Sequence, residues 1–355
     1  MLTIRGLAAG PLRPYLVSTL CVVGGFAVVA LVVAATDGDL TVAVTGWMHG
    51  AFGTPYATAQ TIAYATPLVL IALGSSPALR AGVIVVGAEG QVITGAILAA
   101  ALAISPLGEL PAIVALPIGA AGGILGGAVW SMIPAVPLLR WRVNEILSGL
   151  MANYLAIQLL AYLLRTSMRD PEGHSTPRGA DLPDPSRIPF LPLPGRLTAG
   201  VVVVLALVVV GIWWHRSRAA RVLDIFAESR WLAGRLDLSP ARAILGTTAV
   251  SGAAAGLAGW MQVAGVDGRL TPGVAGGIGF TGLVVAVLGR SRPVPIVVAG
   301  LIMASLTTGS NGIQLLSPGT PASIGAVTQG VLLLAVAMAL ALTQRNRARR
   351  GAADD

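Results

Sequence analysis

Glu89 and Gln91 stand inside an apolar stretch, RAGVIVVGAEGQVITGAILAA (Arg80–Ala100). A bilayer crossing needs about 20 predominantly apolar residues, so this stretch is long enough to span. Of the 15 acidic residues, Glu89 is the one placed well inside a hydrophobic segment. An ionisable group at that depth costs about 2.5–3.5 kcal/mol on insertion scales, so it faces a bundle interior or a water-filled cavity. Gly87, Gly90 and Gly95 lie close by and let another backbone approach, or let the helix break. Two readings follow. Glu89 belongs to a translocation pathway, or it sits near a membrane face, pairing with Arg80 or capping a helix end. Other reactive residue types are sparse. His49, His174 and His215 are far apart, without metal-ligand spacing, and Cys21 is alone. No Ser/His/Asp arrangement, HExxH motif or pair of intramembrane aspartates is present. No catalytic residue, metal or cofactor is expected.

The elements that hold these residues are membrane helices. Of the 355 residues, 55% are hydrophobic and 11% charged, and the mean hydropathy is +0.81. A soluble domain carries about 25% charged residues. The chain therefore reads as an all-α polytopic membrane protein, one transmembrane domain over residues 1–355. The net charge is +8, and all 23 basic residues are Arg. These sit in short connections between apolar runs, so they report topology rather than nucleic-acid binding. Without lysine there is no G-x-x-x-x-G-K-[ST] phosphate loop, so any ATP hydrolysis belongs to a separate chain.

Ten spans are expected, at about 15–36, 56–79, 82–104, 111–133, 146–165, 196–214, 241–263, 274–290, 294–310 and 322–343. The first apolar run exceeds the 7–15 residues of a signal-peptide core and is expected to be an anchor. With both termini cytoplasmic, 17 of the 23 arginines fall in inner connections, as the positive-inside rule requires. Gly119, Gly122, Gly123, Gly126 and Gly127 in the fourth span, with Gly252 and Gly256 in the seventh, suit close helix–helix contact.

Three connections exceed a turn. An external loop at 167–194 is proline-rich and is expected to be extended, either touching an external partner or passively exposed. A cytosolic segment at 215–240 has Leu223, Phe226, Trp231 and Leu232 on one side of a short amphipathic helix. It either docks another protein through Phe226, Trp231 and Leu232, or lies on lipid. The third, Asp267–Gly289, has a Gly/Pro-rich start that delays the helix to about Gly279, giving an outer loop that becomes a half-helix. Its GIGFTGLVVAVLG echoes GAEGQVITGAILAA with opposite direction, as in an inverted repeat. Glu89 and Gln91 are therefore expected close to Phe280 and Thr281, around a central cavity.

Four stretches together resemble one family. They are ATPLVLIALGSSPALRAGVIVVGAEGQVITGA (Ala65–Ala96), VNEILSGLMANYLA (Val143–Ala156), SGAAAGLAGWMQVAGVDGRLTPG (Ser251–Gly273) and GIGFTGLVVAVLGRSRP (Gly277–Pro293). They look like the permease subunits of bacterial ABC importers of the branched-chain amino acid/ribose superfamily, nearest the nucleoside and simple-sugar branch. The resemblance implies a pore formed with a second permease subunit, two cytosolic ATPase subunits, and an external substrate-binding lipoprotein, in the bacterial inner membrane. By it, Glu89 and Gln91 match a G-x-E-G-Q block, Asn144 and Glu145 a V-N-E block, Asn153 an L-N-Y block, and Phe280 and Gly282 a G-F-x-G block. Ile84, Val85, Val86 and Gly87 stand where the family often has F-N-I-G, which implies a different or less polar solute. The cytosolic AESRWLAGRLDLSP departs from the family's N-P-x-A-A-R loop. The expected function is an importer permease for a nucleoside-like or sugar-like solute. The competing expectations are a secondary transporter with an inverted repeat and no ATPase, and a membrane subunit with no pathway of its own.

Overall fold

The computed structural model describes residues 40–171, 177–192, 195, 197–228, 239–316 and 330. The expected spans at 15–36 and 322–343 lie outside them. The regular structure of the described residues is helical, with three isolated β-bridges in the connections. The reason is elementary: in lipid, backbone N–H and C=O groups must be satisfied within the chain, and a helix does this locally.

Ten α-helices are described, besides two short 3-10 helices and a π-helical turn. They are α1 (Leu40–Phe52), α2 (Pro55–Arg80), α3 (Ala88–Ile104), α4 (Ala112–Trp141), α5 (Glu145–Leu163), α6 (Gly200–His215), α7 (Arg218–Glu228), α8 (Pro240–Met261), α9 (Ile278–Leu288) and α10 (Pro293–Leu316). Five of the helical stretches are long and apolar enough to cross a membrane, or six if α6 and α7, bent by 68°, count as one. This shortens the third expected span, while the eighth starts where the half-helix was expected, near Gly279. The third is helical only from Ala88, and the eighth is the 11-residue α9. Both begin with non-helical backbone. A short helix over Leu40–Phe52 was not expected from the sequence, which placed a connection there.

The chain divides into two compact units, residues 1–58 with 305–355, and residues 59–304. In the first, Gly46 and Gly50 of α1 meet the backbone of Gly312 and Ile313 on α10, and Gly309 meets the Trp47 ring. In the second, α3, α4 and α8 pack along glycine seams. Gly95 lies on the backbone of Gly256, Gly127 on Gly252 and Gly256, and Gly126 on Thr94 and Gly95, with no room at any of them for a Cβ. The GxxxG expectation thus has a physical basis in direct backbone contact, which maximises dispersion where lipid gives no hydrophobic drive.

Outside the spans, the described part of the 167–194 loop is fastened to its neighbours. Gly179 N–H donates to Leu270 O at 2.8 Å, Leu182 N–H to Gly268 O at 2.9 Å, and Ile188 N–H to Ala264 O at 2.8 Å. Ser186, buried, donates its hydroxyl to Gly108 O at 2.9 Å, and Arg269 pairs with Asp181 at 3.0 Å. The described part of the loop therefore ties the turn after α3 to the connection before α9.

Candidate functional site: two half-helices joined by Glu89

The backbone breaks twice inside the second unit, and each break starts a short apolar helix. The first break, Ala81–Gly87, follows α2. Gly82 adopts φ 77° there, a left-handed conformation that spares glycine a Cβ clash. The second, Thr271–Gly277, precedes α9 and ends on Gly276 and Gly277 at φ 51° and 85°. Each helix start leaves N–H groups without intrahelical acceptors, and lipid supplies none.

Glu89 resolves this for α9. Its Oε1 accepts from Gly277 N–H and its Oε2 from Gly279 N–H, both at 2.8 Å. The Phe280 N–H also turns toward the carboxylate. Glu89 itself lies in the first turn of α3 and is 6% exposed. A negative group at the positive ends of two helices is electrostatically favoured. Gly279 completes the junction: a side chain there would collide with the Glu89 and Ala88 backbone. Glu89 thus caps the start of another helix. Arg80 does not pair with it.

The break before α3 is held from α5. The Asn153 Oδ1 accepts from Gly90 N–H at 2.8 Å, and its Nδ2 donates to Val86 O at 3.0 Å. Glu145 Oε1 accepts from Ile84 N–H at 3.1 Å. Asn144 caps α5 itself, accepting from Ile146 and Leu147 N–H. The V-N-E run thus starts one helix and braces the entrance of another. Beneath the break lies a cleft lined by Val83 to Gly87, Ser131, Pro134, Glu145, Gly149 and Thr248.

The residues expected around the pathway divide as follows. Glu89 and the start of α9, including Phe280, come together. The Thr281 hydroxyl donates to Gly277 O at 3.0 Å, within its own helix. Gln91 is fully buried, its Nε2 beside Gly87, and neither amide atom has a hydrogen-bond partner among the described residues. Asn153 has its amide occupied by backbone. Glu145 was quoted from the sequence as part of a motif, but its hold on Ile84 was legible only in three dimensions.

The 215–240 segment, expected to be cytosolic, is revised in one respect. Phe226 is 2% exposed and packs with Leu223 against Ala78, Ala81, Val83, Val85, Ala243 and Ile244. Its burial is met by its own chain, so it is not a surface anchor for a partner. Trp231 and Leu232 lie outside the described residues. Arg80, at the end of α2, donates from Nε and Nη2 to both oxygens of Asp224 on α7, at 2.8 and 2.6 Å. Its Nη1 meets His215 Nδ1 at 2.8 Å, and its guanidinium lies 5.7 Å from the Trp214 ring centre. So α7 rests on the break that leads into Glu89. Among the described residues no cluster of His, Cys, Asp or Glu forms a metal site.

The chain is similar over most of its length to known permeases. The chain is 31% identical over 323 residues to the glucose ABC transporter permease protein TsgB13 of Haloferax volcanii, covering 88% of this chain and 83% of that one. It is 27% identical over 334 residues to the guanosine ABC transporter permease protein NupP of Bacillus subtilis, covering 92% and 94%. It is 23% identical over 335 residues to the nucleoside ABC transporter permease protein NupB of Lactococcus lactis, covering 92% and 91%. No solved structure matches it. The family described as the branched-chain amino acid transport system permease component matches residues 57–337, and the chain belongs to that family.

Proposed function

We propose that this ABC importer permease subunit carries a nucleoside-like or sugar-like solute through the plasma membrane. It works with a second, different permease subunit, with two cytosolic ATPases, and with an external binding protein that delivers the solute. ATP hydrolysis resides on the ATPase chains. The solute class rests on the printed solutes of the similar permeases, glucose and guanosine. The observation that carries the site is the Glu89 carboxylate bound to the first N–H groups of α9. Two broken helices joined at a buried ionic cap form a unit in which displacing one helix start displaces the other.

In this reading Glu89, Asn153, Phe280 and Thr281 build the frame of the pathway, and Gln91 presents an unpaired amide within it. Force from the ATPases enters at the 215–240 segment through Trp231 and Leu232. It passes through Phe226 and Leu223 to Val83 and Val85, and so to the break before α3. The test is uptake of labelled guanosine and glucose by the permease co-expressed with its partners. Uptake that depends on the ATPases and on the binding protein is expected. Undiminished uptake after the ATPases are deleted would refute the reading in favour of a secondary transporter. For coupling, Trp231→Ala should lower the stimulation of ATP hydrolysis by loaded binding protein in the reconstituted complex. An unchanged stimulation ratio would refute the docking role.

A further inference from the structure

Helix α4 has two unlike faces. Gly123, Gly127, Ser131 and Ala135 are buried along one of them. On the other, Leu125, Val129, Ile133 and Val136 are exposed, by 58%, 68%, 42% and 44%. At 100° per residue these four and Arg140 fall within about 80° of one another, so they form a single strip. From Leu125 to Val136 the strip rises about 16 Å, the depth of one leaflet in a hydrocarbon core ~30 Å thick. It ends on Arg140, Trp141 and Arg142, all three exposed. The Arg140 guanidinium lies 5.8 Å from the centre of the Trp141 ring.

The positive-inside rule accounts for charge at such a turn. It does not account for the position of Arg142. That residue ends α4 at φ 55° and ψ 32°, its N–H donating to Pro137 O. Glycine is the usual residue at such a left-handed helix end, because a Cβ is crowded there. A charge one residue away would serve topology without that cost. Backbone held in an unfavoured region points to a side chain that is used. Neither Arg140 nor Arg142 has an acidic partner among the described residues. Glu145, the nearest acid along the chain, gives its Oε1 to Ile84 N–H.

We propose that this strip and turn bind one anionic phospholipid. Its phosphate lies on Arg140 and Arg142, Trp141 stands at the level of its glycerol, and one acyl chain follows Leu125 to Val136. A guanidinium offers phosphate oxygens two parallel N–H groups, and it is less strongly hydrated than an ammonium, so it leaves water for such a partner at lower cost. The occupant is an amphiphile because both parts of the surface call for one. A free anion leaves the apolar strip unused, and a neutral lipid leaves two cations without a counter-charge. On the orientation given by the arginines the turn lies at the inner leaflet, whose surface is negatively charged.

Native mass spectrometry of the full-length permease, released from neutral detergent, counts bound dioleoyl-phosphatidylglycerol. Wild type should fill its first site at a concentration at least about tenfold below that needed for dioleoyl-phosphatidylcholine, which has the same chains and no net charge. Arg142→Gly and Arg140→Gln should each raise that concentration about tenfold. Glycine suits φ 55°, so Arg142→Gly should melt at or above the wild-type temperature in lipid-free detergent, which separates a lost ligand from a damaged fold. Arg142→Asn, which also tolerates left-handed backbone, should repeat the loss of lipid. Wild-type lipid affinity in both Arg142 variants would overturn the proposal, as would equal binding of the two lipids. Displacement of the lipid by an equal concentration of inorganic phosphate would overturn it in favour of a free-anion site. A spontaneous disulfide from Val129→Cys to the second permease in native membranes, with Cys21→Ala as background, would overturn it in favour of a subunit contact.

Discussion

Glu89→Ala removes both acceptors from the start of α9. Each lost bond is 2.8 Å long and charge-assisted. Hydrogen bonds to charged groups contribute about 1.5–3 kcal/mol each, so the junction weakens by about 3–6 kcal/mol. Glu89→Gln keeps one oxygen acceptor but turns an NH2 donor toward the other N–H. One bond is lost and the surviving bond is neutral, for a loss of about 1.5–3 kcal/mol or slightly more. At 1.4 kcal/mol per factor of ten, the glutamine variant shifts the closed junction by about ten- to a hundredfold, and the alanine variant by more. The assay is the initial uptake rate per inserted permease, paired with the melting temperature of the purified protein. Both should fall, in the order wild type, Glu89→Gln, Glu89→Ala. A Glu89→Ala protein with wild-type uptake and melting temperature would refute the clamp. A raised half-saturating solute concentration with unchanged melting would assign Glu89 to solute contact instead.

Gly279→Ala should lower the melting temperature, since its Cβ meets the Glu89 backbone and overpacking costs about 1–3 kcal/mol. Thermal unfolding checks it, and unchanged melting would mean the half-helices separate freely. Asn153→Leu leaves the Gly90 N–H and Val86 C=O unpaired, at about 1–3 kcal/mol for each buried group. Reduced uptake and faster proteolysis within Ala81–Gly87 are expected. Topology is checked by cysteine labelling. Asp184→Cys, where the native side chain is 96% exposed, should react from outside, and Ala219→Cys on α7 only after permeabilisation.

The sequence alone determined the solvent of this protein and the place where α9 begins. Hydrophobic fraction and arginine placement require membrane helices whatever their packing, because backbone satisfaction in lipid is a local matter. Thr271-Pro272-Gly273 and Gly276-Gly277 delay a helix by local sterics, so a start near Gly279 was readable, and it begins at Ile278. The lone acid within an apolar run marked Glu89 for the same local reason. What Glu89 does was not local. Its partners lie 188 and 190 residues away. Helices that are apolar on every face carry no periodic signal to say which neighbour they meet. Phe226 shows the limit in the other direction. Its amphipathic helix was legible, but whether its apolar face met lipid, a partner or its own chain depended on where Val83, Val85 and Ile244 arrive in space. Asn153 and Glu145 belong with it. Their side chains satisfy backbone groups at a break in another helix, and only the tertiary structure brings a donor and an acceptor from such distant positions within 3.1 Å.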